Sequence, residues 1–377
     1  MTDQLQASRA ATWVRAILVL ALLYAFLVGV KALETGIRGL GEDFTDSLFA
    51  RASNPFAGLC VGILATVLVQ SSSVTTATIV GLVGSGSLPL QLAVPMILGA
   101  NIGTTVTNTL ASLGYLRRTK EFRLAFAGAT MHDFFNLCNV AVFLPIELTT
   151  RLLSRLAQST ADLIGGVGST GMVDSPLKAI VKFPVGGIEI ALSATGAAGR
   201  LAGVLLLAVG ITLILFSLAF ITRNMRLLML GRVERSINAV LSKGGGMTAI
   251  AVGALITVTV QSSSITTAVM IPMIAAGVIT LRNAFPVTLG ANIGTTITGL
   301  LASLATDHPA GLVIALVHLY FNVIGVTVWY SIPFLRAIPL SLAQRLARHA
   351  EVRKSLVVVY VIGGFVIIPI IGVLALQ

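Results

Sequence analysis

Gln70-Ser71-Ser72-Ser73 is a polar run set inside a long apolar segment, and it recurs as Gln261-Ser262-Ser263-Ser264. Each copy is followed, at the same spacing, by one eight-residue string: Leu98-Gly99-Ala100-Asn101-Ile102-Gly103-Thr104-Thr105 and Leu289-Gly290-Ala291-Asn292-Ile293-Gly294-Thr295-Thr296. Every residue of the second set lies 191 positions after its counterpart. The chain around them is greasy. It has 377 residues and a mean hydropathy of +0.96. Only 10% of its residues are charged, against about 25% in a soluble domain. Apolar stretches of about 20 residues recur, each long enough to cross a bilayer as a helix. Solid apolar runs exclude the alternating pattern of a membrane β-barrel. The fold class is an all-α polytopic membrane protein, integral to the cell (inner) membrane, with residues 1–377 expected to form a single transmembrane domain.

The formal net charge of +11 does not point to nucleic acid, because the basic residues sit between apolar spans and fit a cytoplasmic-side excess. Cys60 and Cys138 both fall in apolar segments and read as small buried hydrophobes. Arg9 and Arg15 precede an apolar run that reads as a first membrane helix over about Trp13 to Val30. Lys31 to Arg51 reads as a loop. Two short apolar pieces then flank the first Gln-Ser-Ser-Ser run, as a re-entrant hairpin or broken helix would. A longer segment, Pro89 to Leu113, is interrupted at Asn101 to Thr105. Residues 56–147 form the first repeat, 157–200 a connecting loop rich in Gly, Ser and Thr, and 247–335 the second repeat. His132-x-x-Phe135-Asn136 returns as His318-x-x-Phe321-Asn322.

Loop charges set the relative orientation of the halves. Arg117, Arg118, Lys120 and Arg123 follow the first eight-residue string, whereas Asp307 and His308 follow the second. Lys31 to Arg51 sums to −1 and its counterpart, Arg223 to Lys243, to +4. Equivalent loops carry opposite bias, so by the positive-inside rule they lie on opposite faces. The halves are therefore expected to be two inverted-topology repeats with broken or re-entrant helices, a design common in secondary transporters.

Broken helices survive in hydrocarbon only where they are buried in protein or line a watery cavity. A break frees N–H groups at the new helix start and C=O groups at the old end. The former suit an anion and the latter a small cation. Ser72 and Ser73, with Ser263 and Ser264, are good N-cap types for the helices that follow. Gln70, Asn101, Gln261 and Asn292 add amides that donate and accept. Thr104 and Thr107 share a helix face, as do Thr295 and Thr298, and offer hydroxyl oxygens to a hard cation such as sodium. No Asp, Glu, Lys or Arg falls inside these motifs. A multiply charged anion held there needs accompanying cations, and coupling follows. One Gln-Ser-Ser-Ser alone would be no more than helix packing; the doubled pair at equal spacing is what favours a site. His132 beside Asp133, His318, Asn136 and Asn322 read as structural support. An intramembrane serine hydrolase is disfavoured, since Ser and His are both duplicated and no Gly-x-Ser-x-Gly elbow is present. A channel filter would more often use a ring of like subunits.

The doubled Gln-Ser-Ser-Ser, the run Gly99 to Asn108, and Phe122-Arg-Leu-Ala-Phe-Ala-Gly-Ala-Thr-Met-His-Asp133 resemble the type II sodium-dependent phosphate cotransporters. The resemblance implies a non-enzymatic symporter that takes up inorganic phosphate with sodium, without a cofactor. It implies phosphate ligands among Gln70, Ser71, Ser72, Ser73, Asn101, Gln261, Ser262, Ser263, Ser264 and Asn292. It implies sodium ligands among Gln70, Ser73, Thr104, Thr107, Gln261, Ser262, Thr295 and Thr298. Thr75, Thr105, His132, Asn136, Thr266, Thr296, His318 and Asn322 are then supporting residues. Membrane lipids are the remaining partners, and the oligomeric state is open, with a dimer as the candidate. Another oxyanion, such as sulfate, arsenate or a carboxylate, is the alternative substrate. The connection between the halves is short and has no cysteines, so a prokaryotic member is expected. Arg118 falls where electrogenic animal members place an Asp, which leaves an extra sodium site, and net charge movement, open.

Overall fold

The computed structural model describes residues 2–40, 54–167, 176–243 and 246–376. Among them six helices are long and apolar enough to cross a membrane: Trp13–Arg38, Leu90–Tyr115, Arg200–Met225, Leu281–Ser303, Ala310–Ser331 and Ser355–Ala375. Thr119–Thr150 and Leu152–Ile164 meet at a 70° bend and together make a broken or re-entrant pair. The chain is an all-α, integral, multi-pass membrane protein.

The first helix, α1 (Thr2–Arg38), lies against α9 (Arg200–Lys243). Gly29, Gly36, Gly203 and Gly210 line the contact so closely that an added Cβ would meet backbone of the other helix at 2.5–3.0 Å. Such small-residue seams are how helices associate where lipid removes the hydrophobic drive. The expected loop from Lys31 does not begin there. Its first residues continue α1 to Arg38, because Glu34 and Arg38 pair one turn apart at 2.8 Å and extend the helix. Residues 41–51 of that expected loop lie outside the described residues.

Between α1 and α9 come two short apolar helices, α2 (Pro55–Val69) and α3 (Ser72–Gly84), then α4 (Leu90–Gly103), α5 (Val106–Ser112) and α6 (Thr119–Thr150). After α9 come α10 (Gly246–Val260), α11 (Ser263–Ala268), α12 (Met270–Ala275), α13 (Leu281–Ser303) and α14 (Ala310–Ser331). At the 191-residue offset α11 and α12 together match α3, and α13 matches α4 and α5 together. The two versions differ at the expected interruption. The first is broken at Thr104 and Thr105, whereas α13 runs through Asn292 to Thr296 unbroken.

The glycines of the eight-residue string are explained by packing. A Cβ on Gly99 would lie 2.0 Å from the Leu59 carbonyl oxygen, and one on Gly103 would lie 2.8 Å from that of Ile63. In the second half, Gly290 would meet the Ile250 oxygen at 1.9 Å and Gly294 the Ala254 oxygen at 2.6 Å. Glycines four apart thus seat α4 on α2 and α13 on α10, backbone against backbone.

The stretch expected to be a connecting loop, 157–200, holds two helices, α7 (Leu152–Val167) and α8 (Pro176–Ala194), with residues 168–175 between them outside the described residues. Its Gly, Ser and Thr content hides a helical spacing. Leu153, Ala157 and Ala161 are buried, as are Val181 and Val185, while Gln158 and Asp162 face outward. Glu147, at the end of α6, caps α7 across the bend by accepting from the Leu153 N–H at 2.7 Å and from Ser154. A further helix, α15 (Pro333–Val352), follows α14 and buries Ala343, Ala347 and Ala350. The C-terminal span comprises α16 (Ser355–Val358), a π-helical stretch (Val359–Ile367) and α17 (Ile368–Ala375).

One end of the molecule is fastened by charge. Lys31, 5% exposed, bonds Glu34 at 3.0 Å and also Asp307 in the α13–α14 loop. Lys182 of α8 reaches Asp307 at 3.4 Å. Glu34, fully buried, accepts from Arg38 and from the Asp307 N–H, while Arg38 donates to the Gly84 and Ser85 carbonyls. Partial burial pushes the Asp307 carboxyl up, but the Lys31 bond and the Lys31 and Lys182 charges outweigh it and hold its pKa below the ordinary value.

Two outcomes follow from this packing. Gly99→Ala or Gly290→Ala should cost about 1–3 kcal/mol by overpacking, read as a lower melting temperature in detergent, whereas Gly114→Ala, which meets nothing within 4 Å, should be neutral. A carboxylate with a depressed folded pKa stabilises above its unfolded value of about 3.9 and loses that stabilisation as pH falls through the folded value. The stability gap between the wild type and Asp307→Asn should therefore be full at neutral pH and close as pH drops from about 4 towards 2.

Candidate functional site

Both Gln-Ser-Ser-Ser runs are helix interruptions built in the same way. Gln70 ends α2 at φ 55° and Gln261 ends α10 at φ 56°, in the left-handed region that usually takes Gly or Asn. Each Gln turns its amide back and donates to a carbonyl three residues earlier, Val67 at 2.5 Å and Val258 at 2.6 Å. That bond satisfies an acceptor which the helix end would otherwise leave unpaired. The N-caps are Ser71 and Ser262, ahead of the expected Ser72 or Ser73 and Ser263 or Ser264. Both are extended, and their Oγ atoms accept from Val74 N and Ile265 N at 3.4 Å. The left-handed Gln turns the chain at once, so the very next residue takes the capping conformation.

The structure brings these interruptions together. Gln70 to Ser73 and Gln261 to Ser264 line one cavity of about 280 Å³, closed on another side by Leu215, Leu218, Ala219 and Thr222 of α9. Among the described residues no formally charged side chain lines it. Ser72, Ser73 and Ser263 sit in the first turns of their helices, where backbone N–H groups have no intrahelical acceptor. The Gln carbonyl oxygens are held in matching fashion, Gln70 by the Thr107 hydroxyl at 3.1 Å and Gln261 by the Thr298 hydroxyl at 3.0 Å. Thr298 also reaches Ser73 Oγ at 3.4 Å, and Asn108 donates to Thr267 Oγ1 at 2.6 Å, so bonds cross between the halves.

Asn101 and Asn292 are not among the lining residues. They brace the halves through an exchange of partners. Asn292 Oδ1 meets His132 Nε2 at 3.1 Å, and its amide donates to Asn136 Oδ1 at 2.8 Å. Asn101 Oδ1 receives the Asn322 amide at 3.1 Å and meets His318 Nε2 at 3.4 Å. Asn136 also donates to the Asn101 carbonyl at 2.7 Å. All six side chains are buried. Each half's asparagine is thus gripped by the other half's histidine and asparagine. The bonds of His132 and His318 go to asparagines of the opposite half.

The remaining expected residues are placed as follows. Thr104 and Thr295 donate to the carbonyls of Ala100 and Ala291 at 2.8 and 3.0 Å, so their lone pairs alone remain for a cation. Thr105 and Thr296 bond the carbonyls of Ile102 and Ile293. Thr75 donates to the Ser71 carbonyl, and Thr266 to that of Ser262, while Thr266 also pairs with Thr257 at 2.8 Å. Arg118 is exposed and pairs with Glu121 at 3.0 Å. That hydrogen bond and charge raise its pKa above the ordinary value.

The sequence reading missed Tyr360, which donates from the π-helical stretch to Asp133 Oδ2 at 2.9 Å, beside the Thr109 hydroxyl at 3.1 Å. An isolated Tyr in an apolar run carried no signal of that partner. The counterpart of Asp133 by the His-x-x-Phe-Asn register is Leu319, so the two halves differ at this point.

Removing Asn292 strands donors and acceptors on His132 and Asn136. Asn292→Ala should cost about 1–3 kcal/mol in detergent melts. Combining it with His132→Ala should cost less than the two singles added, since both remove one bond.

The Na+/Pi-cotransporter family matches residues 25–144 and 213–332. Sodium-dependent phosphate transport protein 2A of Ovis aries is 33% identical over 93% of this chain and 66% of its own length. The Rattus norvegicus 2A protein is likewise 33% identical over 93% of the chain. The Homo sapiens 2B protein is 32% identical over 94% of the chain and 64% of its own length. The chain spans just under two thirds of the length of these relatives. No solved structure matches. The relatives are animal proteins, which overturns the expectation of a prokaryotic member. That expectation rested on a short, cysteine-free connection, and loop length is the part of a chain freest to vary.

Proposed function

The chain belongs to the Na+/Pi-cotransporter family, and from that premise we propose that it is a secondary active symporter coupling inward sodium movement to uptake of inorganic phosphate. The observation that carries this reading is the single uncharged cavity lined by both Gln-Ser-Ser-Ser runs. The names of the relatives, sodium-dependent phosphate transport proteins, agree with it.

In this reading phosphate accepts from the free first-turn N–H groups and from the hydroxyls of Ser72, Ser73, Ser263 and Ser264. A preformed set of neutral donors suits a tetrahedral oxyanion, and helix N-termini add a favourable partial charge. Sodium takes oxygens from Gln70 and Gln261, from the Ser73 and Ser262 hydroxyls, and from Thr107 and Thr298, which already bond the Gln carbonyls, with Thr104 and Thr295 offering lone pairs. With no fixed cation in the cavity, bound sodium supplies the countercharge. An empty or half-filled site is then electrostatically incomplete, and this is the physical basis of coupling. Asn101 and Asn292 act here as braces and not as ligands.

The arrangement as two inverted-topology repeats, 56–147 and 247–335 within one transport domain, is part of the same proposal. It is supported by the opposite charge of equivalent loops, by the two matched stretches of the family, and by the exchange of partners between Asn101 and Asn292. A pseudo-two-fold axis would place both interruptions at the repeat interface near mid-membrane.

Purified protein in vesicles should take up labelled phosphate when an inward sodium gradient is imposed, and lose that uptake when sodium is replaced by choline. Arsenate should compete. Ser72→Ala and Ser263→Ala should each raise the KM for phosphate by about tenfold or more, the loss of one hydrogen bond to a charged group. Uptake that ignores sodium, or unchanged kinetics in both variants, would overturn the proposal.

A further inference from the structure

Lys354 stands between α15 and α16, and its ammonium is unusual. Nζ has no exposed surface and no hydrogen-bond partner among the described residues. It lies over the face of the Phe122 ring, 3.9 Å from the centroid. An ammonium carries three donors, and burying it without an acceptor is unfavourable. A ring face compensates only in part. The nearby carboxylate of Glu351 is already committed to Arg123 at 3.2 Å.

Lys354 also lines the end of a groove of about 390 Å³. One wall is Leu110, Leu113 and Leu116, and the other is Val358, Val361 and Ile362 of the C-terminal span. The walls are apolar and open sideways, with Val358 and Ile362 about half exposed. Arg117, Arg118, Lys120 and Arg353 lie close in sequence to this end, so the positive-inside rule sets it at the cytoplasmic leaflet, where anionic lipids are concentrated.

We infer that this groove binds one anionic phospholipid, an acyl chain lying between the leucine wall and the C-terminal span and the headgroup phosphate meeting Lys354. The four-carbon lysine stem already lines the groove, so a rotamer change carries the ammonium from the Phe122 ring to the phosphate. A free anion would satisfy the charge but leave the apolar walls uncovered. A zwitterionic lipid would cover the walls but bring its own cation to a site that already holds one. The bound chain would pack on Val361 and Ile362, which flank the segment that carries Tyr360 to Asp133. The lipid would therefore hold the π-helical stretch in the register that makes that buried bond.

Native mass spectrometry of the delipidated full-length protein tests this, after adding phosphatidylglycerol, phosphatidylcholine or inorganic phosphate. The wild type should retain one phosphatidylglycerol with a preference of about fivefold or more over phosphatidylcholine. Lys354→Gln should lose the preference, Leu113→Trp should lose the lipid by filling the groove, and Lys354→Arg should keep both. Arg117→Gln, outside the groove, should behave as the wild type. Retention by Lys354→Gln equal to the wild type, displacement of the lipid by inorganic phosphate, or no retained lipid on the wild type would each overturn the inference. Should Lys354→Gln fail to fold, Leu113→Trp decides.

Discussion

A polar backbone cannot end in an apolar slab without a partner, and this constraint shapes the whole centre of the protein. Interrupting α2 and α10 at Gln70 and Gln261 strands carbonyls on one side and N–H groups on the other. The Gln side chain removes the first problem by folding back on its own helix. The serine that follows caps one donor. What is left over is a small surplus of N–H and O–H donors at each break. Because the two breaks face one cavity, the surpluses add. The cavity is polar without being charged, a condition that favours a ligand able to arrive with its own countercharge.

Around this centre the structural tasks are divided. Glycines at 99, 103, 290 and 294 bring helices into backbone contact, so the walls of the cavity are held by geometry that no larger side chain permits. The buried Asn–His exchange ties one half to the other behind the cavity. The charged cluster of Lys31, Glu34, Arg38, Lys182 and Asp307 closes one end and joins α1, α8, the loop after α3 and the loop after α13. Polar side chains near the cavity therefore fall into two groups, those that line it and those that brace the halves, and burial alone does not tell them apart. Their hydrogen-bond partners do.

The interruptions themselves were legible in the sequence, because a Gln-Ser-Ser-Ser run in an apolar segment has few physical explanations and its repetition at a fixed offset has fewer. The convergence of the two copies was inferable from that offset. The cross-half bonds of Asn101 and Asn292 were not, since the sequence does not show which residues a buried amide will pair with. The cap position was misjudged by one or two residues, since nothing in the chain signals that a Gln will adopt a left-handed conformation. Helices α7 and α8 were hidden by small and polar residues that outnumber a sparse but regular apolar face, Leu153, Ala157 and Ala161 in one case and Val181 and Val185 in the other. Tyr360 was invisible because its partner, Asp133, lies 227 residues away in the chain.

The reciprocal grip of Asn101 and Asn292 has a consequence for how such a chain can exist at all. The histidine and asparagine that grip each asparagine's side chain come from the other half, so a half produced by itself would leave those bonds unmade. It could close those bonds only by meeting a second copy of itself, residue i to j and j to i, as a two-fold dimer does. Joined in one chain, the halves supply those partners to each other without a second molecule. They are not identical in doing so, since Asp133 of the first half corresponds in register to Leu319 of the second.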